Sequence, residues 1–180
     1  MVKLLGKERI GYKVKQDRMK QTHQEHQFQP IYNENSRILI LGTFPSVKSR
    51  EHQFYYGHPQ NRFWKILEML YCHAPLTTIE EKKEFLLQHG IAIWDVIESC
   101  DIVGSSDSSI KNVVPTDLRV IMNSASIEKI YANGAVAAKL YRKYQEPLLK
   151  REIICLPSTS PANAGYSIER LLECWKICRI

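Results

Sequence analysis

Apolar residues in this chain fall into short unbroken runs separated by stripes of helical period. Arg37 to Leu41 is short, continuous and branched, the pattern of a strand buried on both faces. IAIWDVI at 91–97, Ile127 to Tyr131 and Glu152 to Leu156 read the same way, which gives four strands. Between them the period changes. Over Asn61 to Tyr71, Phe63, Trp64, Leu67 and Leu70, with Ile66, make one apolar side of a helix. Thr78 and Glu81 form a T-x-x-E capping box ahead of Phe85, Leu86 and Leu87, and Gly90 fits the end of that helix. Pro115 to Asn123 reads as a short helix. Gly134 opens another, with Ala135, Ala138, Leu140 and Tyr141, and Ile168, Leu171, Leu172 and Trp175 supply the last. CDIVGSSDSSIKN, rich in Ser, Asp and Gly, reads as a loop. Residues 1–30 are polar and without period, so a loose N-terminal extension is expected before a single domain over 31–180.

Strands alternating with helices predict an α/β fold: a three-layer α/β/α arrangement around a central four-stranded parallel sheet. Ligands of such sheets sit outside the carboxyl ends of the strands. Two unusual loops, beginning at Gly42 and Leu156, follow the first and last strands and fall at that place.

The chain has 180 residues, 44% of them hydrophobic, enough for one core. No apolar run approaches the ~20 residues that span a bilayer, and no secretory signal is visible, so no membrane association is expected. A formal charge of +6 and a pI near 9.0 fit a polyanionic partner. Five cysteines, at 72, 100, 155, 174 and 178, include no CxxC pair. That spacing argues against zinc or iron–sulfur ligation and for thiols in a reducing, cytoplasmic compartment.

The first loop carries the chemistry. Gly42 permits a sharp turn after the strand, and Thr43 and Phe44 can turn backbone N–H groups into a pocket. Tyr56, beside Tyr55, offers a flat face for a base, and His58 continues the turn. Lys48 and Arg50 are placed to meet phosphates, or form an ordinary solvated face. Asn61 serves either the chemistry or the start of a helix. Phe63 and Trp64 fit the helix period and belong to the core, and His58 can equally be structural. In the second loop Ser158, Thr159 and Ser160, between Pro157 and Pro161, make a rigid polar wedge or a simple turn. Asp95, near a strand end, either contacts the site or caps the next segment; Asp107 and Ser108 are weaker candidates.

GTFPS at 42–46, FYYGHPQNRFW at 54–64, IAIWDVIESC at 91–100 and LPSTSPANAGYS at 156–167 together resemble the uracil-DNA glycosylase superfamily. Within it the chain is most similar to the deoxyinosine (hypoxanthine)-DNA glycosylases, over about residues 30–178. The mismatch-specific uracil branch also carries a G-x-x-P-G element followed by H-P-x-N-R-F-W.

The resemblance implies a metal-free, cofactor-free monomer that acts on damaged DNA. It would flip a deaminated base into a pocket and hydrolyse its N-glycosidic bond. Carried over by position, Tyr56 matches the aromatic that stacks on the base. Gly42 to Ser46 match the water- and base-binding motif, and Leu156 to Ser160 the loop that presses on DNA. Catalytic roles are therefore expected for Asn61, Thr43 and Phe44, base contacts for Gly42, Ser46, Tyr56 and His58, and DNA contacts for Lys48, Arg50, Ser158, Thr159 and Ser160.

Two positions depart from the pattern. Phe44 replaces the Asp or Asn of several branches, and Leu156 replaces the common His, so Asn61 is the remaining polar candidate. Ser46, where strict uracil enzymes hold a bulky Tyr, leaves room for hypoxanthine, with uracil or xanthine secondary. The competing readings are a non-catalytic DNA-damage binding module on the same fold and a small-molecule nucleoside hydrolase.

Overall fold

A computed structural model describes residues 20–180, so the first nineteen residues of the expected extension lie outside the described residues. The elements run β1 (Thr22–Glu25), β2 (Ile38–Gly42), α1 (Val47–His52), α2 (Phe63–Leu70), α3 (Ile79–Gln88), β3 (Ile91–Asp95), β4 (Ile97–Val103) and β5 (Ser106–Pro115). They continue with α4 (Arg119–Ser124), β6 (Lys129–Asn133), α5 (Ala135–Tyr144), α6 (Glu146–Leu149), β7 (Ile154–Leu156) and α7 (Ile168–Trp175), closing on a 3₁₀ turn at Lys176–Cys178.

The expected four-stranded parallel sheet is present, in the order β3-β2-β6-β7. Every residue of β2 and β3 is buried, which is why both read as continuous apolar runs. Helix α3 packs against β3, α5 against β6 and β7, and α2 against α7. Phe63 meets Trp175 edge-on at 5.8 Å, and Phe63 and Trp64 are core residues, as their spacing predicts. The capping box at Thr78 and Glu81 forms in full.

Two expectations are corrected. First, CDIVGSSDSSIKN is not a loop. The second apolar run ends its part in the parallel sheet at Asp95; past Val96 the chain enters β4, which pairs with β5 and β1 in a separate antiparallel sheet of order β1-β4-β5. Ile97, Cys100 and Ile102 bury one face of β4 against Phe44, and that burial outweighs the poor strand preference of Ser, Asp and Gly. Register shifts along β4 and β5 break the two-residue alternation that would have announced a strand. Second, residues 20–30 are not loose: Thr22–Glu25 pair with β4, and His26 and Phe28 pack beside Tyr55. Among the described residues, no helix is long and apolar enough to cross a membrane.

Candidate active site

The parallel register brings the last residues of the four strands to one level: Gly42 beside Asp95, and Asn133 beside Leu156. All four line a single cleft of about 1020 Å³. Parallel strands deliver their carboxyl ends to one edge, so this convergence follows from the topology.

Gly42 is required by close approach. A Cβ there would lie 2.1 Å from Asp95 Oδ1 and 3.4 Å from Tyr56 Oη. The loop then leaves through Thr43, whose hydroxyl donates to Asp107 Oδ2 at 3.1 Å. Burial pushes the Asp107 carboxyl above its ordinary value; Asp95 adds to this, while the Thr43 hydrogen bond opposes it. Phe44 lines the cleft while its ring packs into the cluster of Ile97, Cys100 and Ile102; an apolar ring neither accepts nor donates a proton, so what it offers the chemistry is its backbone. Ser46 lines the cleft as the cap of α1, accepting from the Ser49 N–H at 3.2 Å.

Helix α1 ends at Gln53, and the chain turns back to present three aromatic residues in a row. Phe54 stacks on Trp64, and Tyr55 donates its hydroxyl to the Gln29 carbonyl at 2.9 Å, so both are structural. Tyr56 lines the cleft. Its ring stacks on Phe63 at 3.8 Å, and its backbone sits in the left-handed region at φ 53°, uncommon for an aromatic residue. Its hydroxyl is buried without a hydrogen-bond partner among the described residues. Burial, and after it the Asp95 carboxylate, holds that phenol well above its usual range; the Asn133 amide nearby opposes this in part, but its hydrogen-bonding atoms are engaged by Thr159. His58 also lines the cleft and accepts the Gln60 N–H through Nδ1 at 3.1 Å.

Asn61 both caps and faces the cleft. Its Oδ1 accepts from the Phe63 N–H at 3.0 Å and from the Thr159 hydroxyl at 2.9 Å. A backbone N–H can only donate, so the oxygen is unambiguously on that side. The amide Nδ2 has no acceptor among the described residues and remains Asn61's donor toward the cleft it lines. The arrangement is locked further back. The Thr159 N–H donates to Asn133 Oδ1 at 2.9 Å, Asn133 Nδ2 donates to Thr159 Oγ1 at 2.8 Å, and the Thr159 hydroxyl is left to donate to Asn61.

Thr159 is fully buried, which corrects the expectation that it touches DNA; it is a positioning residue for Asn61. Ser158 and Ser160 line the cleft on either side of it, with Thr159 itself in the cleft wall. Lys48 pairs with Glu51 at 2.6 Å on the surface. The Arg50 guanidinium lies over Phe44 and donates to the Pro45 carbonyl at 2.6 Å, bracing the first loop. Neither basic residue lines the cleft.

Three residues that sequence reasoning missed complete the site. Arg62 donates to the carbonyls of Thr159, Ser160, Asn163 and Tyr166, fastening the second loop to the turn before α2. Its partners lie about a hundred positions away, and nothing local announces them. Asn133 follows the point at which the third strand was expected to end. His26 comes from a polar stretch without period and donates from Nε2 to Asp95 Oδ2 at 2.8 Å. Among the described residues, no group of three or more His, Cys, Asp or Glu side chains converges to hold a metal ion.

Comparisons with known proteins assign the chain to a family. A family model described as the uracil DNA glycosylase superfamily matches residues 29–179. Two relatives are each called hypoxanthine DNA glycosylase. The one from Methanosarcina acetivorans is 34% identical over 151 residues, covering 81% of this chain and 92% of its own. The one from Methanosarcina barkeri is 33% identical over 143 residues, covering 76% and 86%. The solution NMR structure of a Methanosarcina acetivorans protein, described as a candidate uracil DNA glycosylase, superposes with a TM-score of 0.73 at 30% identity, covering 87% of this chain and 96% of its own. The chain belongs to the uracil DNA glycosylase superfamily.

Proposed function

We propose that this protein is a monofunctional DNA-repair glycosylase for deaminated bases, with hypoxanthine as first substrate and uracil or xanthine secondary. The flipped nucleotide enters the cleft, and its base lies against Tyr56. The observation that carries this reading is the fixed amide of Asn61. Both acceptor positions of its oxygen are used inside the protein, so the side chain presents a donor. As the C1′–N9 bond breaks, the sugar gains oxocarbenium character and the base gains negative charge. A fixed donor that meets that charge acts mainly in the transition state, and one such group is worth about 3 kcal/mol, or 10²–10³ in rate. Water completes the hydrolysis, giving an abasic sugar and free base.

Thr43, Phe44 and His58 line the cleft; in this reading the first two stand beside the reacting sugar and His58 within reach of the base. Ser158 and Ser160 lie at the rim, where the second loop would meet DNA, with Lys48 and Arg50 adding positive charge outside it. In this reading the enzyme is a cytoplasmic monomer that needs no cofactor, because hydrolysis uses only water and protein donors. The non-catalytic reading draws on the apolar Phe44 and Leu156, but a locked donor at the floor of the cleft favours catalysis.

The test is release of free base, under single-turnover conditions, from duplexes carrying deoxyinosine, deoxyuridine or deoxyxanthosine. Release of hypoxanthine fastest of the three is the expected result. Failure to release it defeats the substrate assignment. Binding without release from any of the three favours the non-catalytic module.

A further inference from the structure

Hydrolysis needs a place for the proton that water sheds as it adds to the sugar. The Asn61 amide serves the departing base and takes no proton. The carboxylates of the cleft are Asp95 and Asp107, and its imidazole is His58. Asp95 lies on the floor, 4% exposed, with Oδ2 held by His26. His58 accepts the Gln60 N–H through Nδ1, so the neutral ring carries its proton on Nε2 and can only donate from there.

Asp107 differs from both. It stands on β5 near the tip of the hairpin, is exposed, and lines the cleft. Oδ2 accepts the Thr43 hydroxyl at 3.1 Å, whereas Oδ1 accepts from nothing among the described residues. One oxygen is anchored and the other is free for water. The placement matters as much. Thr43 follows β2, beside β3, while Asn61 is held from the β6–β7 side through Asn133 and Thr159. Displacement at a sugar carbon puts the incoming water on the face opposite the departing group. A carboxylate on one wall and an amide donor on the other serve the two ends of that line.

We propose that Asp107 is the general base of the hydrolysis: its free Oδ1 holds the attacking water and takes its proton, while Thr43 fixes the carboxylate. This rests on the glycosylase reading above. The water oxygen bonds to C1′ as the C1′–N bond of the base breaks. The bonding pair leaves on the base, one water proton passes to Oδ1, and solvent then protonates the base anion and clears the carboxyl.

The surroundings suit a proton acceptor. Water reaches the carboxylate from the cleft, yet the protein around its other sides pushes the carboxyl above the ordinary range; the Thr43 hydrogen bond opposes this, and the Asp95 charge adds to it. A base acts best when its affinity for a proton approaches the working pH. The titratable groups that face it are Asp95 from β3 and Cys100 from β4, whose thiol burial pushes up to about 11. The Arg50 guanidinium of α1 is turned to the Phe44 ring and to the carbonyls of Pro45 and Gly104.

The test uses the full chain and a duplex carrying deoxyinosine. Single-turnover base release is followed from acid to neutral pH, and affinity is measured on a 2′-fluoro-arabino inosine duplex, whose electron-poor sugar resists cleavage. Wild-type release should rise with pH through an inflection above the ordinary carboxylate value and then level. Asp107→Asn still accepts from Thr43 but takes no proton. Its neutral-pH rate should fall about tenfold to a hundredfold, the low end for a general base because an oxocarbenium-like sugar asks little of its water. The rise with pH should vanish, and affinity should stay within a few fold. A wild-type rate and profile in this variant overturn the proposal. So does a slow variant that keeps the inflection, since another group then takes the proton, or one whose affinity falls as far as its rate, since Asp107 then serves binding.

Thr43→Val removes the hydrogen bond that lowers the Asp107 carboxyl, so the inflection should move to higher pH. An inflection that stays in place ties it to a different group and overturns the proposal as well. A wild-type protein that releases no base from any lesion ends the glycosylase reading itself; a wild type that releases base at the same rate as Asp107→Asn ends this inference alone.

Discussion

The two walls of the cleft keep their shape by different means. On one side, the turn before α2 and the loop after β7 are knitted together by Arg62, which reaches four carbonyls, and by the Asn133–Thr159–Asn61 relay. On the other side stands the β4–β5 hairpin, whose tip at residues 105–108 is exposed although the Asp107 carboxyl turns inward onto Thr43 at the cleft. At its base the hairpin packs on Phe44, but toward its tip the first loop holds it by only a few polar contacts: the Val47 N–H on Ser105 Oγ at 2.9 Å, the Thr43 hydroxyl on Asp107, and a long contact from Arg50 to the Gly104 carbonyl. A donor that must meet developing charge needs fixed geometry. A wall that encloses the substrate and meets only mobile water needs less of it, and the few ties near the hairpin's tip leave that tip, not its base, the easier part to displace.

The largest effect should come from the knitted wall. Asn61→Asp keeps the acceptor for the Phe63 N–H and the Thr159 hydroxyl while deleting Nδ2. Base release should fall 10²–10³-fold with the melting temperature unchanged; a parallel loss of melting temperature would return Asn61 to a capping role alone. Arg62→Lys comes next. One ammonium cannot span four carbonyls, so urea denaturation should register a loss of about 2–3 kcal/mol, and limited proteolysis should cut within 157–166 more readily.

Smaller changes are expected elsewhere. Because the folded carboxyl of Asp107 is raised, the folded state takes up its proton more readily than the unfolded chain does. The stability this group contributes is fullest at acid pH and is lost as pH climbs from the ordinary carboxylate value through the raised one. Asp107→Asn still accepts from Thr43 and should flatten that slope in melts taken across weakly acidic pH, with the variant the more stable at neutrality. The smallest effect belongs to the floor between the walls. Tyr56→Phe removes a buried hydroxyl that lacks a partner, so thermal melts should show no loss and up to about 1 kcal/mol of gain. A clear loss would mean that the hydroxyl makes a bond in solution.

The same contrast explains what could be read before the structure was known. Runs such as ILILG and IAIWD are buried from end to end, so pattern alone located the strands whose ends form the floor. Thr78 and Glu81 act within one turn of helix, and their box was visible in four letters. The hairpin escaped because irregular pairing erased its alternation and its stabilising contact, Phe44, lies far back in the chain. Among the site residues, Asn61 and Tyr56 stood within a recognisable string. Asn133, Arg62 and His26 did not, because each draws its meaning from a partner that only folding brings near.

The hairpin leaves and rejoins the body at nearly one point. Chain departs after Val96 and returns at Thr116, where the Thr116 N–H donates to the Val96 carbonyl at 3.0 Å and its hydroxyl donates to the Asp95 carbonyl at 2.8 Å. A stitched neck of this kind isolates the excursion from the parallel strands. Residues could be added at its far end without shifting the floor by a register step, so the reach of the enclosure over a DNA backbone is a length that can drift, or be engineered, independently of the donors beneath it.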